Sequence, residues 1–141
     1  MDRLILTADP PLKRYFVASS VEEAVAYLSA HRGEAQVVGG GTWLMPVVLR
    51  GRSVASHLVD VSRISALRRL RPDKDYLYLG GAVTLAQILR SDATTQALPI
   101  LRDMALSMDT PRLRESATLA GSIVSAYGNS SVTTALSALN A

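Results

Sequence analysis

Apolar positions along this chain recur at two alternating spacings, one helical and one extended. Val21, Ala24, Val25 and Leu28 fall three and four residues apart, the signature of a helix with one buried face. Ser20 stands just before them and Glu23 three residues later, so the helix begins in a capping box. Gly33 supplies its C-terminal stop. Tyr15-Phe16-Val17 reads as a short strand, after an irregular, proline-marked lead-in over residues 1–14. Ala35 to Val38 reads as a buried strand, Leu44 to Arg50 as a helix closed by Gly51, and His57 to Val61 as a second buried strand. Strand–helix–strand order of this kind implies a small parallel sheet.

After Ser62 the pattern changes. Leu67 to Arg71 and Tyr76 to Leu79 predict a hairpin around Pro72-Asp73-Lys74-Asp75, and Gly80-Gly81 breaks its second strand. Thr84 and Gln87 form a second capping box, with Leu85, Ile88 and Leu89 as the buried stripe of the helix that follows. Residues 95–107 predict one helix, with Leu98, Leu101, Ala105 and Met108 on one side and Pro99 in its first turn. Ala117 to Leu119 and Ile123 to Ala126 read as short strands. Val132, Ala135, Leu136 and Leu139 return to helical spacing.

Composition narrows the chemistry. With 141 residues, 48% apolar and 19% charged, this is the balance of a folded chain, large enough for one domain or two small subdomains. The net charge of +3 is mild. Its densest cluster (Arg63, Arg68, Arg69, Arg71) reads as a solvated face. With one Trp, five Tyr and one Phe, a base-stacking nucleic-acid surface is not expected. The chain has no cysteine, so it carries no disulfide, thiolate metal site or iron–sulfur ligand. Its two histidines, His31 and His57, are not placed together by any spacing, and no metal site is expected. No apolar run reaches membrane-span length, and Asp2 and Arg3 precede no signal-peptide core, so a cytoplasmic location is expected.

The candidate chemistry lies in two small-residue turns. Val38-Gly39-Gly40-Gly41-Thr42-Trp43 joins a strand to a helix start, where free N–H groups suit a phosphate. A plain chain reversal fits the same pattern. Thr118-Leu119-Ala120-Gly121-Ser122 is the second such turn.

In order and spacing these segments resemble the FAD-binding subunit of the molybdenum hydroxylases, the family of the carbon monoxide dehydrogenase medium subunit and the xanthine dehydrogenase flavin domain. The resemblance runs from about Tyr15 to Ala141. Its carriers are Ser20-Val21-Glu22-Glu23-Ala24, the Gly39–Leu44 loop, Leu58-Val59-Asp60-Val61-Ser62-Arg63-Ile64, and Leu79-Gly80-Gly81-Ala82-Val83-Thr84-Leu85. Last comes Arg112-Leu113-Arg114 leading into Ala117 to Ile123. The resemblance implies an α+β chain of the PCMH-type FAD-binding fold. A small parallel βαβ subdomain (1–62) is followed by an incomplete mixed α+β subdomain (63–141), because family members continue well past this point. FAD is the implied cofactor, its pyrophosphate bracketed by the two glycine turns. The implied partners are a molybdopterin large subunit and an iron–sulfur small subunit, with self-association through the incomplete second subdomain as a further expectation. No nucleic-acid or membrane partner and no catalytic residue is expected.

By that resemblance the cofactor contacts are Val38, Gly39, Gly40, Gly41, Thr42, Trp43, Met108, Thr118, Ala120, Gly121, Ser122 and Ser131. Thr42 and Thr118 either donate to phosphate or perform turn and cap chemistry. Met108 lies near the cofactor or in the core. Trp43 replaces a usual aspartate or other polar residue, and its indole lines the channel, stacks on the cofactor or fills the core. Ala120 replaces a glycine and Ser122 an asparagine, Ser131 falls on an acidic position, and Glu115 brings a carboxylate close to the anion site. These departures leave a second reading, a flavin-free relative acting as an assembly module.

Overall fold

The computed structural model describes residues 12–52, 55–108, 110–125 and 130–141. The expected lead-in over residues 1–11 and the end of the expected strand at Ala126 lie outside them. Strand β1 (Arg14–Val17), helix α1 (Val21–Ala30), strand β2 (Ala35–Val38), helix α2 (Leu44–Leu49) and strand β3 (His57–Asp60) build the first half. All three strands run parallel in the order β1-β3-β2, so β3 is central. Successive strand residues face opposite sides of a sheet. Leu58 accordingly packs with Val38, Leu44 and Val48 against α2, and Val59 with Ala18, Ala24 and Ile64 against α1. Both side chains are fully buried, which contributes about 1.5–3 kcal/mol each. The α1 layer also takes in Leu67 and Ala66.

Helix α1 starts as its sequence dictates. The Ser20 hydroxyl accepts from the Glu23 N–H at 3.1 Å, while the Glu23 carboxylate reaches back to the Ser19 N–H and hydroxyl, both at 2.6 Å. Those bonds, the Ser19 hydroxyl's first, hold the Glu23 carboxyl below the usual carboxylate range.

A short 3₁₀ turn, Ser65–Arg68, leads to strands β4 (Leu70–Asp73) and β5 (Tyr76–Leu79), an antiparallel hairpin. Pro72 and Asp73 lie within β4, so the hairpin bend is tighter than the pattern predicts; Lys74 takes the left-handed conformation there, φ +50°. Helices α3 (Leu85–Arg90), α4 (Asp92–Ala97), α5 (Pro99–Ser107), α6 (Pro111–Ser116), α7 (Leu119–Ser125) and α8 (Ser131–Ala138) follow. Their shared core holds Leu85, Ile88, Leu101, Met104, Ala105 and Val132.

Three expectations are corrected here. The single helix over 95–107 is two helices, parted at Leu98, where Pro99 opens the second. Ala117–Leu119 is no strand: only Thr118 pairs, in an isolated antiparallel bridge to Thr84. The expected strand from Ile123 falls within helix α7.

Candidate functional site

The two small-residue turns meet. Gly40 lies so close to the end of α6 that a Cβ there would sit 1.6 Å from the Ser116 carbonyl oxygen. Cβ atoms on Gly39 and on Gly121 would each come within 2.7 Å of the Thr118 hydroxyl oxygen. Glycine is therefore required at these points for one loop to approach another, and at Gly41 by its φ of +69°.

Between the loops lies a cavity of about 410 Å³. Val38, Gly39, Gly40, Gly41, Thr42 and Trp43 line it from the first half, and Gly81, Ala82, Thr118, Ala120 and Gly121 from the second. Val25, Leu28, Val61 and Ile64 make much of the remaining wall apolar, and among the described residues no charged side chain lines it.

The donors of the two loops differ. Among the described residues, the N–H groups of Gly40, Gly41 and Thr42 donate to no backbone carbonyl. In the second loop the N–H groups are in use: Ala120 donates to the Gly81 carbonyl at 3.0 Å, Ser122 to the Thr118 carbonyl at 2.9 Å, and Gly121 to the Thr118 hydroxyl at 3.2 Å. A run of unpaired N–H groups is a cradle for an anion, and apolar walls suit a planar ring. The cavity thus fits a nucleotide, with the first loop as donor and the second as wall.

The remaining sequence candidates sit elsewhere. Met108 packs against the helical core of the second half, Ser122 is buried in α7, and Ser131 is exposed in the first turn of α8; none of them lines the cavity. Thr118 performs turn chemistry, as its bond to Gly121 shows. Glu115, which would be unfavourable if it pointed into the anion site, lies outside the cavity lining. Its carboxylate is held by the Arg90 guanidinium in a two-pronged contact at 2.6 and 2.9 Å. That hydrogen bonding keeps the Glu115 carboxyl below its ordinary range.

Sequence reasoning missed two features. Gly81, Ala82 and Val124 line the cavity, and the hints were the Gly80-Gly81 break and the family-like segment 79–85 that contains the first two. His31 and His57 do come together, their rings 4.4 Å apart beside Tyr27, whose hydroxyl lies 2.9 Å from the His57 Nδ1. Among the described residues no group of three or more metal-ligating side chains forms.

Residues 10–141 match the model of the FAD-binding domain in molybdopterin dehydrogenase. The chain belongs to this family. FAD is the family's cofactor, and the unpaired N–H groups beside apolar walls fit it. Two relatives are the 6-hydroxypseudooxynicotine dehydrogenase complex subunit alpha of Paenarthrobacter nicotinovorans and the carbon monoxide dehydrogenase medium chain of Hydrogenophaga pseudoflava. The first is 32% identical over 94% of this chain and 45% of its own length. The second is 30% identical over 81% of this chain and 40% of its own. A solved carbon monoxide dehydrogenase from Hydrogenophaga pseudoflava superposes with a TM-score of 0.78 at 29% identity, covering 82% of this chain and 40% of that one. The fold is thus the PCMH-type FAD-binding fold, and the chain spans less than half the length of these relatives. Among the described residues no helix is long and apolar enough to cross a membrane.

Proposed function

We propose that this chain holds FAD for a molybdenum hydroxylase-type oxidoreductase. The observation that carries the reading is the row of unpaired N–H groups at Gly40, Gly41 and Thr42, set in an apolar cavity walled by both halves of the chain. Those three groups donate to the diphosphate, and Gly81, Thr118, Ala120 and Gly121 shape the opposite wall. Because no charged side chain among the described residues lines the cavity, backbone dipoles carry the anion's charge. The close approach demanded by Gly39 and Gly40 fixes the loop before the ligand arrives. Bound FAD supplies reversible electron transfer, and the protein's task is to position it and exclude water.

The wider role follows from the family. Electrons from a molybdopterin large subunit pass through an iron–sulfur small subunit to FAD held here, and on to NAD or another acceptor. The site divides between an N-terminal subdomain, 1–62, and a second one, 63–141.

One feature favours a flavin-free assembly module instead: the second loop's N–H groups at Ala120, Gly121 and Ser122 are already bonded within the protein. A single titration separates the two. The purified chain is scanned for visible flavin absorbance before and after FAD is added, followed by removal of free FAD. Retained flavin absorbance supports the cofactor role. A colourless protein that retains none refutes it.

A further inference from the structure

Trp43 is the chain's only tryptophan, and it stands immediately after the three unpaired N–H groups. It belongs to none of the buried clusters among the described residues and keeps 44% of its surface exposed. It lines the cavity together with Val25, Val37 and Val124, and these keep 46% to 80% of their surface exposed. Large apolar side chains left open around one cavity mark a binding surface. The same cavity offers a run of three unpaired backbone donors next to Trp43.

Resting on the FAD reading above, we infer that Trp43 is a positioning residue whose indole packs on a planar ring of the nucleotide. The loop of Gly40–Thr42 takes the diphosphate, and the next residue takes a ring joined to it. The ring is adenine or isoalloxazine, which share flat π faces, and the site thereby prefers ring-bearing nucleotides over a bare diphosphate. Indole on a ring face is worth more than area alone, because stacked aromatics attract through their charge distributions as well.

The test is a calorimetric equilibrium titration of the full chain with FAD, ADP, FMN and inorganic pyrophosphate as probes, with Trp43 fluorescence followed in wild type and flavin absorbance for FAD and FMN. Wild type, Trp43→Leu and Trp43→Phe are compared. FAD is expected to quench the wild-type emission, and pyrophosphate to quench it weakly or not at all. Trp43→Leu keeps apolar bulk and is expected to weaken FAD about tenfold or more, the range of base-stacking losses. Trp43→Phe should restore most of that, and pyrophosphate affinity should not change in either variant. A loss carried by ADP assigns the contact to adenine, and a loss carried by FMN assigns it to isoalloxazine. Equal FAD affinity in wild type and Trp43→Leu would overturn the inference and leave the FAD reading standing. Quenching by pyrophosphate as deep as by FAD would also overturn it. No FAD uptake by wild type would refute the cofactor reading, and the inference with it.

Discussion

Substituting Gly40 by alanine tests whether the glycine turn is shaped by the neighbouring loop. The added Cβ would meet the Ser116 carbonyl oxygen at 1.6 Å, its carbon at 2.5 Å and the Ala117 nitrogen at 3.2 Å. All three are backbone atoms, and that backbone is pinned. The Ala117 N–H donates to Leu113 at 2.7 Å, the Ala117 carbonyl accepts from Leu85 at 3.0 Å, and the Leu119 N–H donates to Val83 at 2.8 Å. Relief must come from moving one loop off the other. Overpacking costs about 1–3 kcal/mol, and pinned backbone puts Gly40→Ala at the upper end, about 3 kcal/mol. In a chain of this size that lowers Tm by roughly 10 °C. Gly33→Ala is the control, since Gly33 has a φ of +80° and nothing within 4 Å of its added Cβ. It bears only the left-handed backbone cost, about 1 kcal/mol. Both are measured by urea and thermal unfolding. If Gly40→Ala loses no more stability than Gly33→Ala, the close-approach argument is wrong.

Thr84→Ala removes one half of the capping box, the Thr84 hydroxyl that accepts from the Gln87 N–H at 3.2 Å, and leaves the backbone N–H at 84 that donates to the Gln87 side chain at 2.9 Å; a loss of about 1 kcal/mol is expected in urea unfolding. Tyr15 donates to Asp60 at 2.8 Å, and burial first, then the Asp60 bond and charge, push its pKa up to about 12. Its unfolded form ionises near pH 10, so its contribution is complete below that and is lost as pH rises from 10 to 12; Tyr15→Phe should flatten that part of the stability profile, with phenolate absorbance as the direct check. Glu115→Gln should leave FAD affinity within error in the same titration, because the carboxylate is engaged by Arg90 outside the cavity lining.

The parallel half of the fold is legible because its sequence signals agree. Capping at Ser20, helical spacing from Val21 and two short apolar runs all point to one arrangement. The second half reads less well, for local reasons. Ala117 to Leu119 is β-like in composition, yet Thr118 makes only one bridge before helix α7 begins, a tertiary choice made by Val83 and Leu85. Pro99 fits the first turn of one long helix by pattern but opens a second, and helix α6, where the Thr110 hydroxyl before Pro111 accepts from the Leu113 N–H, has no counterpart among the expected elements. At the site, the glycine pattern located both loops. It could not tell which loop keeps its N–H groups free, because the second is occupied by a bond from Ala120 to Gly81, far away in sequence, and by two local bonds to Thr118 that form as helix α7 begins. The paired histidines were hidden for the first of these reasons.

Thr118 is the point on which the two loops depend. It is buried, it accepts the Gly121 N–H at 3.2 Å, and Cβ atoms at Gly39 and Gly121 would both crowd its hydroxyl oxygen. The first loop is therefore seated on this hydroxyl, and the second is closed by it. Thr118→Val keeps the branched shape, removes the acceptor and strands a donor, for an expected loss of about 1–3 kcal/mol. It also puts a methyl group, larger than the hydroxyl oxygen, against Gly39, so the Gly40–Thr42 donors shift and FAD affinity falls as well. Thr118→Ser keeps the oxygen and gives up only a methyl, so its FAD affinity should stay near wild type. Urea unfolding and the FAD titration are run on both variants. A valine variant that binds FAD as wild type does, while the serine variant does not, would mean that shape and not the hydroxyl seats the loop. The donors of the first loop would then be set by its own backbone, with φ at Gly41 as the controlling feature.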